Sequence, residues 1–326
     1  MIRIAVLLPC YNEGPAIGAV VRTFRLVLPQ SEIYVYDNNS TDDTIANARA
    51  AGAIVRSEPM QGKGNVVRRM FADVEADVYV MADGDGTYDA SAASGMMELL
   101  LRDNLDMVVG KRDGGTERNS YRPGHRFGNW LITRTVASLF DNRFHDVLSG
   151  YRVMSRRFVK SFPALVSGFE IETTLTIHAL ELGIPSAEVV TRYSERTQGT
   201  QSKLSTIWDG LRIFGVIALL FKEARPFRFF GILAGMFVAT SLAVGIPIIV
   251  EFMDTGLVPR FPTAILATGM MLLGAIALTC GLILDSVSRG RLEAKRLLYQ
   301  SSPAMQVVLA SSSATPERRP HTSQQH

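Results

Sequence analysis

Residues 1–203 alternate between short apolar runs and longer segments in which apolar residues recur at helical spacing. Apolar runs of this length predict buried β-strands, and the longer segments predict helices. The predicted strands are 2–8, 32–36, 53–56, 78–82 and 107–109, and the predicted helices are 15–27, 41–51, 64–74 and 92–102. Strands that alternate with such helices form βαβ units, so we predict an α/β fold with a mostly parallel, Rossmann-like sheet.

Two apolar segments nearer the carboxyl end of the chain follow a different pattern. Residues 229–250 and 261–284 contain no charged side chain. At about 1.5 Å per residue, helices of this length reach about 33 to 36 Å, which exceeds a hydrocarbon core of about 30 Å. We therefore predict a two-helix transmembrane hairpin over 229–284, with a pair of buried core helices as the alternative.

Basic residues flank this hairpin on both sides. They are Lys222, Arg225 and Arg228 before the first apolar segment, and Arg289, Arg291, Lys295 and Arg296 after the second. Because cytoplasmic flanks carry the excess of Lys and Arg, we predict a cytoplasmic (inner) membrane protein with two spans. The amino-terminal domain, residues 1–203, and both termini then lie in the cytoplasm.

The segments on either side of the hairpin complete the predicted domain organisation. Residues 204–228 place apolar side chains at helical spacing among charged ones, which predicts an interfacial amphipathic helix, with an ordinary packing helix as the alternative. Residues 285–326 read as a basic juxtamembrane segment followed by a disordered tail that is rich in Ser, Pro, Thr and Gln. No cleavable signal peptide is predicted, because the apolar run 2–8 is short.

Charge and cysteine content exclude several classes of protein. The chain has 34 Lys and Arg against 31 Asp and Glu, and the resulting formal charge of +3 is too small to indicate a nucleic-acid partner. Cys10 and Cys280 are too few and too far apart for a disulfide scaffold, so we expect a reducing compartment around the catalytic domain. The sequence leaves the oligomeric state open, with a homo-oligomer as one option.

Polar residues follow three of the predicted strands. Past the first strand they are Pro9, Tyr11, Asn12 and Glu13; past the second they run from Asp37 to Asp43; past the fourth they are Asp83, Gly84 and Asp85. Ligands of parallel sheets bind at the carboxyl ends of the strands, so we expect these residues to converge. Crowded carboxylates need a cation, and hard oxygen ligands suit Mg²⁺ or Mn²⁺ bridging a diphosphate. Taken singly, one acidic turn is equally well a helix cap.

A glycine-rich turn, Gln61-Gly62-Lys63-Gly64, opens the third helix. A P-loop needs Ser or Thr directly after Gly-Lys, but Gly64 and then Asn65 follow here, and no G-x-G-x-x-G follows the first strand, so neither a Walker nucleotide triphosphatase nor a dinucleotide dehydrogenase is supported. Free N–H groups and one Lys at a helix start still favour a phosphate, with a flexible entry turn as the alternative.

Four ordered motifs now resemble a known family. They are Pro9-Cys10-Tyr11-Asn12-Glu13, the segment from Asp37 to Thr44, Asp83-Gly84-Asp85, and the segment from Asp146 to Arg152. This combination resembles the family 2 glycosyltransferases, and within them the polyprenol-phosphate glycosyltransferases of the dolichol-phosphate mannose synthase type. The resemblance covers residues 4–203, and the two spans match the two-helix anchor that some members carry. It implies a GT-A-type fold.

The resemblance also implies roles for individual residues. Pro9, Tyr11, Glu13, Asp37 and Asp83 would hold the nucleotide, and Asp85 would bind the divalent ion. The neighbouring Asn12, Ser40, Lys63 and Gly84 complete the predicted nucleotide-sugar site, and the metal ligands are Asp83 and Asp85. The predicted catalytic set is Asp85, Arg112 and Arg126, since both arginines fall where family members meet donor and acceptor phosphates. The predicted acceptor-phosphate set is Arg126, Ser149, Arg152, Arg196 and Lys203, although each basic residue taken alone is more often a solvated surface charge.

Two positions depart from the family pattern. Thr87 stands where relatives often carry Gln two residues after the metal Asp, and a hydroxyl is a shorter and weaker ligand. Asn38-Asn39 replaces an acidic residue that is often found there, which leaves the expected ribose contact to Asp37.

The expected reaction follows from the ionisation of the acceptor. A polyprenyl phosphate is already anionic at neutral pH, so we predict direct, inverting transfer of one sugar without a general base. The donor is a nucleotide sugar, with UDP preferred over GDP, and the absence of Q-x-x-R-W argues against a processive synthase.

Two rival functions remain open from the sequence. Glu170 and Glu172 mark a position where a base could serve a hydroxyl acceptor on a lipid or glycan. A catalytically inactive, sugar-nucleotide-binding membrane adaptor is the second rival, and the intact acidic triplet argues against it. We assign no catalytic role to His125, His145 or His178.

Overall fold

The computed structural model describes residues 2–113, 133–134, 136, 144–163, 171–194, 219, 221–223, 225–304 and 306. Four residues named above, Arg126, Glu170, Arg196 and Lys203, lie outside the described residues, as do His125, most of the predicted interfacial helix and the tail from 307 onwards. The chain forms two compact units, Met1–Lys203 with Lys295–His326, and Leu204–Ala294.

The first unit contains one seven-stranded sheet with helices between its strands. The strands are β1 Ile4–Cys10, β2 Ser31–Asp37, β3 Ile54–Ser57, β4 Val78–Met81, β5 Met107–Asp113, β6 Arg152–Ser155 and β7 Ser186–Arg192. The helices are α1 Gly14–Val27, α2 Thr44–Ala50, α3 Lys63–Asp73, α4 Ala92–Arg102, α5 Arg156–Ser161 and α6 Ile171–Leu182.

The sheet has the order β3-β2-β1-β4-β6-β5-β7. All neighbours pair in parallel except β6, which runs antiparallel to both β4 and β5. The predicted α/β fold with a mostly parallel sheet is therefore confirmed. Because β6 is reversed, its first residue, Arg152, pairs with Met81 near the end of β4, and the loop before β6 reaches the carboxyl edge of the sheet.

Strand β1 lies two residues further along the chain than the sequence predicted. The apolar run predicted a strand over 2–8, whereas β1 is Ile4–Cys10, in which Pro9 pairs with Tyr36 and Cys10 pairs with Asp37. The strand is buried from Ala5 to Cys10, as expected of a parallel strand covered on both faces. Helix α1 packs Ile17, Val21 and Phe24 into the same core.

The carboxyl-terminal end of the longest helix also belongs to the first unit. Helices α7 Pro226–Thr255 and α8 Phe261–Gln300 follow the sheet, and the unit boundary at 294/295 falls inside α8. The Tyr299 hydroxyl donates to Oδ2 of Asp106 at 2.5 Å, and Lys295 Nζ pairs with Glu181 at 2.7 Å. Asp106, just before β5, also accepts hydrogen bonds from the Ser155 hydroxyl and from Nε and Nη2 of Arg157.

The second unit is built on the two long helices. Both are long and apolar enough to cross a membrane, and most of their apolar side chains lie on the outside. Small residues bring them together: a Cβ at Gly281 would lie 2.9 Å from Phe230 Cβ, and Ser241 Oγ donates to the carbonyl of Ala267 at 2.7 Å. Close contact through small residues is typical of paired membrane helices.

Candidate active site

The turns after β1 and β2 hold each other in place. Asn12, at a φ of 56°, donates its N–H to Ser40 Oγ at 2.8 Å, and its side-chain oxygen accepts from the N–H of Thr41 at 2.8 Å. The N–H of Glu13 donates to Thr44 Oγ1 at 2.8 Å. Asn12 and Ser40 therefore fix the shape of the edge, and their nucleotide-binding roles stay predictions.

One carboxylate oxygen of Asp37 has no hydrogen-bond donor among the residues that the structure describes. The residue is only 2 % exposed, and its Oδ2 accepts from the N–H of Ser40 at 3.1 Å. Its Oδ1 is buried and meets no hydrogen-bond donor among the described residues. Because an unpaired buried acceptor is costly, this oxygen indicates a ligand that brings an N–H or O–H to it.

Asn38 has a role that sequence reasoning missed. Its amide nitrogen donates to the carbonyls of Glu58 and Met60 at 2.8 and 2.9 Å, and its oxygen accepts from the N–H of Gly62 at 2.7 Å. An acidic side chain has no donors and could not make the first two bonds. The replacement noted in the sequence thus fixes the loop that delivers Lys63 to the start of α3.

The thiol of Cys10 is buried at the carboxyl edge of the sheet, and four carboxylates act on it through their charge. Burial raises the pKa of this thiol well above its usual value, and the charges of Glu13, Asp37, Asp83 and Asp85 raise it further. These residues come from the turns after β1, β2 and β4, as the strand-end argument predicted. Since the thiol stays protonated, the negative charge at this edge belongs to the carboxylates.

Glycine is required between the two aspartates of the Asp83-Gly84-Asp85 turn. A Cβ at Gly84 would collide with Cys10 Sγ and would lie 3.3 Å from Cδ1 of Ile17. The turn can therefore pack directly on β1, which keeps both carboxylates at the edge of the sheet.

Lys63 lies between two carboxylates from different parts of the chain. Its Nζ is 2.5 Å from Oδ1 of Asp83, and it also forms an ion pair with Glu172, in the first turn of α6. Burial disfavours the charged lysine, but Asp83 and Glu172 outweigh it and raise the pKa of Lys63 above its usual value. The cation expected at the glycine-rich turn is present and charged.

Thr87 holds Asp85. Its hydroxyl donates to Oδ1 of Asp85 at 2.6 Å and its N–H donates to the same oxygen at 3.1 Å. Both residues are buried. The short hydroxyl at this position therefore orients the aspartate.

The donor set fits a divalent metal ion held jointly with a diphosphate. Asp83 and Asp85 offer hard oxygen donors, although the Lys63 ammonium already occupies Oδ1 of Asp83. Within the described part of the chain, no group of three or more His, Cys, Asp or Glu side chains could hold a metal by itself. An ion on these two aspartates would need the remaining ligands from phosphate oxygens and water.

Arg112 is anchored on Asp146, the first residue of the fourth motif. Its Nε and Nη2 donate to the two carboxylate oxygens at 2.8 and 2.7 Å, and its guanidinium lies 5.6 Å from the ring centre of Tyr193. Burial opposes the charge on Asp146, but the hydrogen bonds and charge of Arg112 lower its pKa. The pair ties the loop before β6 to the end of β5.

Ser149 and Arg152 are buried in the interior. Ser149 Oγ donates to the carbonyl of Gly110 at 2.6 Å, and Arg152 donates to the carbonyls of Ser149 and Glu172 and to Thr176 Oγ1. Burial lowers the pKa of Arg152 to about 10. The structure thus uses these donors to hold the loop and α6 together, and their acceptor-phosphate role stays a prediction.

Tyr88 and Gly150 lie against the ion pair of Lys63 and Asp83. The sequence analysis gave Tyr88 no role and included Gly150 only as part of the segment from Asp146 to Arg152. The Tyr88 hydroxyl accepts from the N–H of Gly150 at 2.9 Å. A Cβ at Gly150 would lie 3.2 Å from both carboxylate oxygens of Asp83 and 3.3 Å from Lys63 Nζ. The glycine therefore allows the loop before β6 to approach the pair. Tyr11, 38 % exposed, lies at the same edge and presents an aromatic ring to solvent.

Comparison with known proteins finds a family model and relatives that are all described as glycosyltransferases or hexose transferases. The model of the family described as "Glycosyl transferase family 2" matches residues 5–162. The chain is 31% identical over 296 residues to "Glycosyltransferase AglJ" of Haloferax volcanii, covering 90% of this chain and 97% of that protein. It is 29% identical over 223 residues to the "Dolichyl-phosphate hexose transferase" of the same organism, covering 68% of this chain and 95% of that protein.

A solved structure shares the fold. Glucosyl-3-phosphoglycerate synthase from Mycobacterium tuberculosis, crystallised with Mn²⁺, UDP and phosphoglyceric acid, aligns with a TM-score of 0.55 and 25% identity. The alignment covers 68% of this chain and 78% of that one. The same enzyme has also been crystallised with Mg²⁺ and UDP.

Proposed function

The chain belongs to glycosyltransferase family 2, and we propose that it transfers one sugar from a nucleotide-sugar donor to a membrane polyprenyl phosphate, with inversion. The observation that carries the proposal is the convergence of four carboxylates and a buried lysine at the carboxyl edge of the sheet. In the same chain, two helices have the length and composition of membrane spans. A relative named as a dolichyl-phosphate hexose transferase supports a lipid phosphate as acceptor.

The donor would bind across the ends of β1, β2 and β4. Oδ1 of Asp37, which has no donor among the described residues, would accept a hydrogen bond from the nucleoside. Asp83 and Asp85 would hold Mg²⁺ or Mn²⁺, which supplies positive charge to the departing diphosphate when bound. UDP is the preferred nucleotide because a structural neighbour was crystallised with it.

Cationic side chains of the chain itself would assist departure of the nucleoside diphosphate. Lys63 is charged and buried beside Asp83, and Arg112 is held in a fixed orientation by Asp146. Fixed cations in a partly buried site stabilise developing negative charge without reorganising. We extend this role to Arg126, which lies outside the described residues.

The surroundings of Glu172 favour a phosphate acceptor over a hydroxyl acceptor. A hydroxyl needs a general base, and Glu172 is the described carboxylate at the position considered for one. Its carboxylate is already engaged in an ion pair with Lys63. A polyprenyl phosphate needs no such base.

Lipid extraction tests the proposed acceptor. Membranes carrying the protein are incubated with radiolabelled nucleotide sugars and Mg²⁺, and the products are partitioned into chloroform. We expect a chloroform-soluble product that releases its sugar in mild acid, as a sugar phosphate does. Label found only in a lipid that resists both acid and alkali would favour a hydroxyl acceptor.

We also propose the arrangement in the membrane. The spans would be 229–250 and 261–284, with the catalytic domain 1–203, the interfacial segment 204–228 and the terminal segment 285–326 all on the cytoplasmic side. The basic residues on both flanks of the helices support this orientation.

A further inference from the structure

A single lysine links the predicted metal-binding turn to a glutamate on a separate helix. Lys63 begins α3, Asp83 follows β4 and Glu172 lies in the first turn of α6. The Lys63 side chain is 13% exposed and that of Glu172 is 6% exposed, so both charges are largely shielded from water. Shielding strengthens the attraction between opposite charges and makes an unpaired charge costly.

The position of Lys63 conflicts with a metal ion on Asp83. The ammonium already occupies Oδ1 of Asp83 at 2.5 Å. A divalent ion on the same carboxylate would place like charges side by side, and the loop at Gly150 leaves little room, since a Cβ there would lie 3.3 Å from Lys63 Nζ. Glu172 supplies a second carboxylate that can keep the lysine paired once Asp83 is taken.

We propose that Lys63 is an internal counter-ion that holds Asp83 until the metal ion binds, and that Glu172 is a positioning residue that retains Lys63 afterwards. The inference rests on the proposed function because it takes Asp83 as a metal ligand. One consequence concerns the order of binding. Metal alone must displace the lysine from Asp83, whereas metal with a diphosphate brings negative charge that the released lysine can meet.

Manganese affinity without nucleotide tests the role of Lys63. The full chain is purified in detergent, and free Mn²⁺ is measured by electron paramagnetic resonance during titration. We expect Lys63→Gln to bind Mn²⁺ about tenfold more tightly than the wild type, because a competitor of the ion is removed. Lys63→Arg keeps the cation and should stay near the wild-type affinity.

A lysine in a similar ion pair elsewhere provides the matched control. Lys160 Nζ lies 2.7 Å from Glu75 and also donates to the carbonyls of Phe71 and Val74. Lys160→Gln removes one positive charge from the same unit but not from Asp83. If Lys63 acts by occupying Asp83, the Lys160 variant should leave the Mn²⁺ affinity unchanged. An equal gain in both Gln variants would assign the effect to net charge and overturn the role given to Lys63.

A double-mutant cycle tests whether Glu172 acts through Lys63. Glu172→Gln in the wild type leaves Lys63 with Asp83 alone, and we expect Mn²⁺ to bind about fivefold more weakly. In the Lys63→Gln background the same substitution should have almost no effect. If it weakens binding equally in both backgrounds, Glu172 acts on the ion directly and the positioning role is wrong.

The remaining outcomes separate this inference from the proposed function. The double variant removes one charge of each sign, so it tests the idea even if Lys63→Gln alone does not fold, and it should bind Mn²⁺ more tightly than the wild type. Unchanged or weaker binding in Lys63→Gln and in the double variant overturns the counter-ion role and leaves sugar transfer to the lipid assay. Absence of Mn²⁺ binding in every variant, with and without UDP, overturns both.

Discussion

Two buried aspartates at opposite edges of the same sheet have very different partners. Asp106, at the amino edge, is 1 % exposed, and its two oxygens accept from Ser155, Arg157 and Tyr299. Asp37, at the carboxyl edge, is 2 % exposed and has an oxygen without a donor among the described residues. A saturated carboxylate stabilises the fold, whereas an unsaturated one costs stability unless a ligand supplies the missing donor. Burial alone does not distinguish the two, and the distinction comes from counting donors.

The largest expected effect comes from the turn at the carboxyl edge that we propose to bind the metal ion. Asp85→Asn keeps the shape of the side chain and removes the charge that a divalent ion needs. We expect sugar transfer to fall about a thousandfold with little change in melting temperature, because the residue serves the reaction. Initial rates and thermal unfolding of the same preparation check both parts. Normal turnover by this variant would defeat the metal assignment.

The second substitution addresses the saturated carboxylate. Asp106→Asn leaves the partly buried Arg157 guanidinium without its charge partner, and breaking such a pair costs up to about 3 kcal/mol. We expect a clear loss in the free energy of unfolding, measured with urea, and unchanged activity per folded molecule. A stable Asp106→Asn protein with reduced transfer would reverse the comparison between the two edges.

The third substitution tests the unsaturated carboxylate. Asp37→Asn removes a charged acceptor, so we expect UDP to bind about tenfold more weakly by calorimetry, the size of one charge-assisted hydrogen bond. Stability should stay the same or rise, because an unpaired buried charge is lost. A large drop in melting temperature would show that Asp37 is structural.

The smallest expected effect is at Tyr299. Its hydroxyl donates to Asp106, and its ring lies 4.7 Å from the Arg157 guanidinium. Tyr299→Phe keeps the ring and removes one hydrogen bond, so the loss should be about 1 kcal/mol. Urea unfolding of Tyr299→Phe and Asp106→Asn under the same conditions compares their losses in the free energy of unfolding. Equal losses would mean that the tyrosine hydroxyl supplies most of the stabilisation at Asp106.

The sequence predicted the strands and helices that show a clear apolar run or helical spacing of their own. The apolar runs of β1, β4 and β5 and the helical spacing of α1, α3 and α4 are visible without a structure. Strand β6 has only four residues and directly follows a polar motif, and β7 is mostly half-exposed, so neither shows the continuous apolar run of a buried strand. The reversed direction of β6 also has no local signal.

Some residues of the candidate site could be predicted from the sequence, and others could not. Asp37, Asp83 and Asp85 follow apolar strands, and that placement predicted their convergence. The contact of Lys63 with Glu172 joins residues far apart in the chain, and nothing in either segment indicates the other. Likewise, Arg152 looks like a surface cation in the sequence and is buried because α6 and its own loop supply carbonyl acceptors. Long-range pairing of polar groups needs three-dimensional positions, which periodicity does not contain.

The contact of Tyr299 with Asp106 bears on how a water-soluble version of the enzyme should be prepared. A fragment cut before the first long helix loses residues 295–300 together with the apolar segments, and Asp106 and Glu181 then lose their partners Tyr299 and Lys295. A better design deletes the two apolar segments and rejoins residues 295–300 through a flexible linker. Adding the same six residues as a separate peptide should restore part of the lost melting temperature.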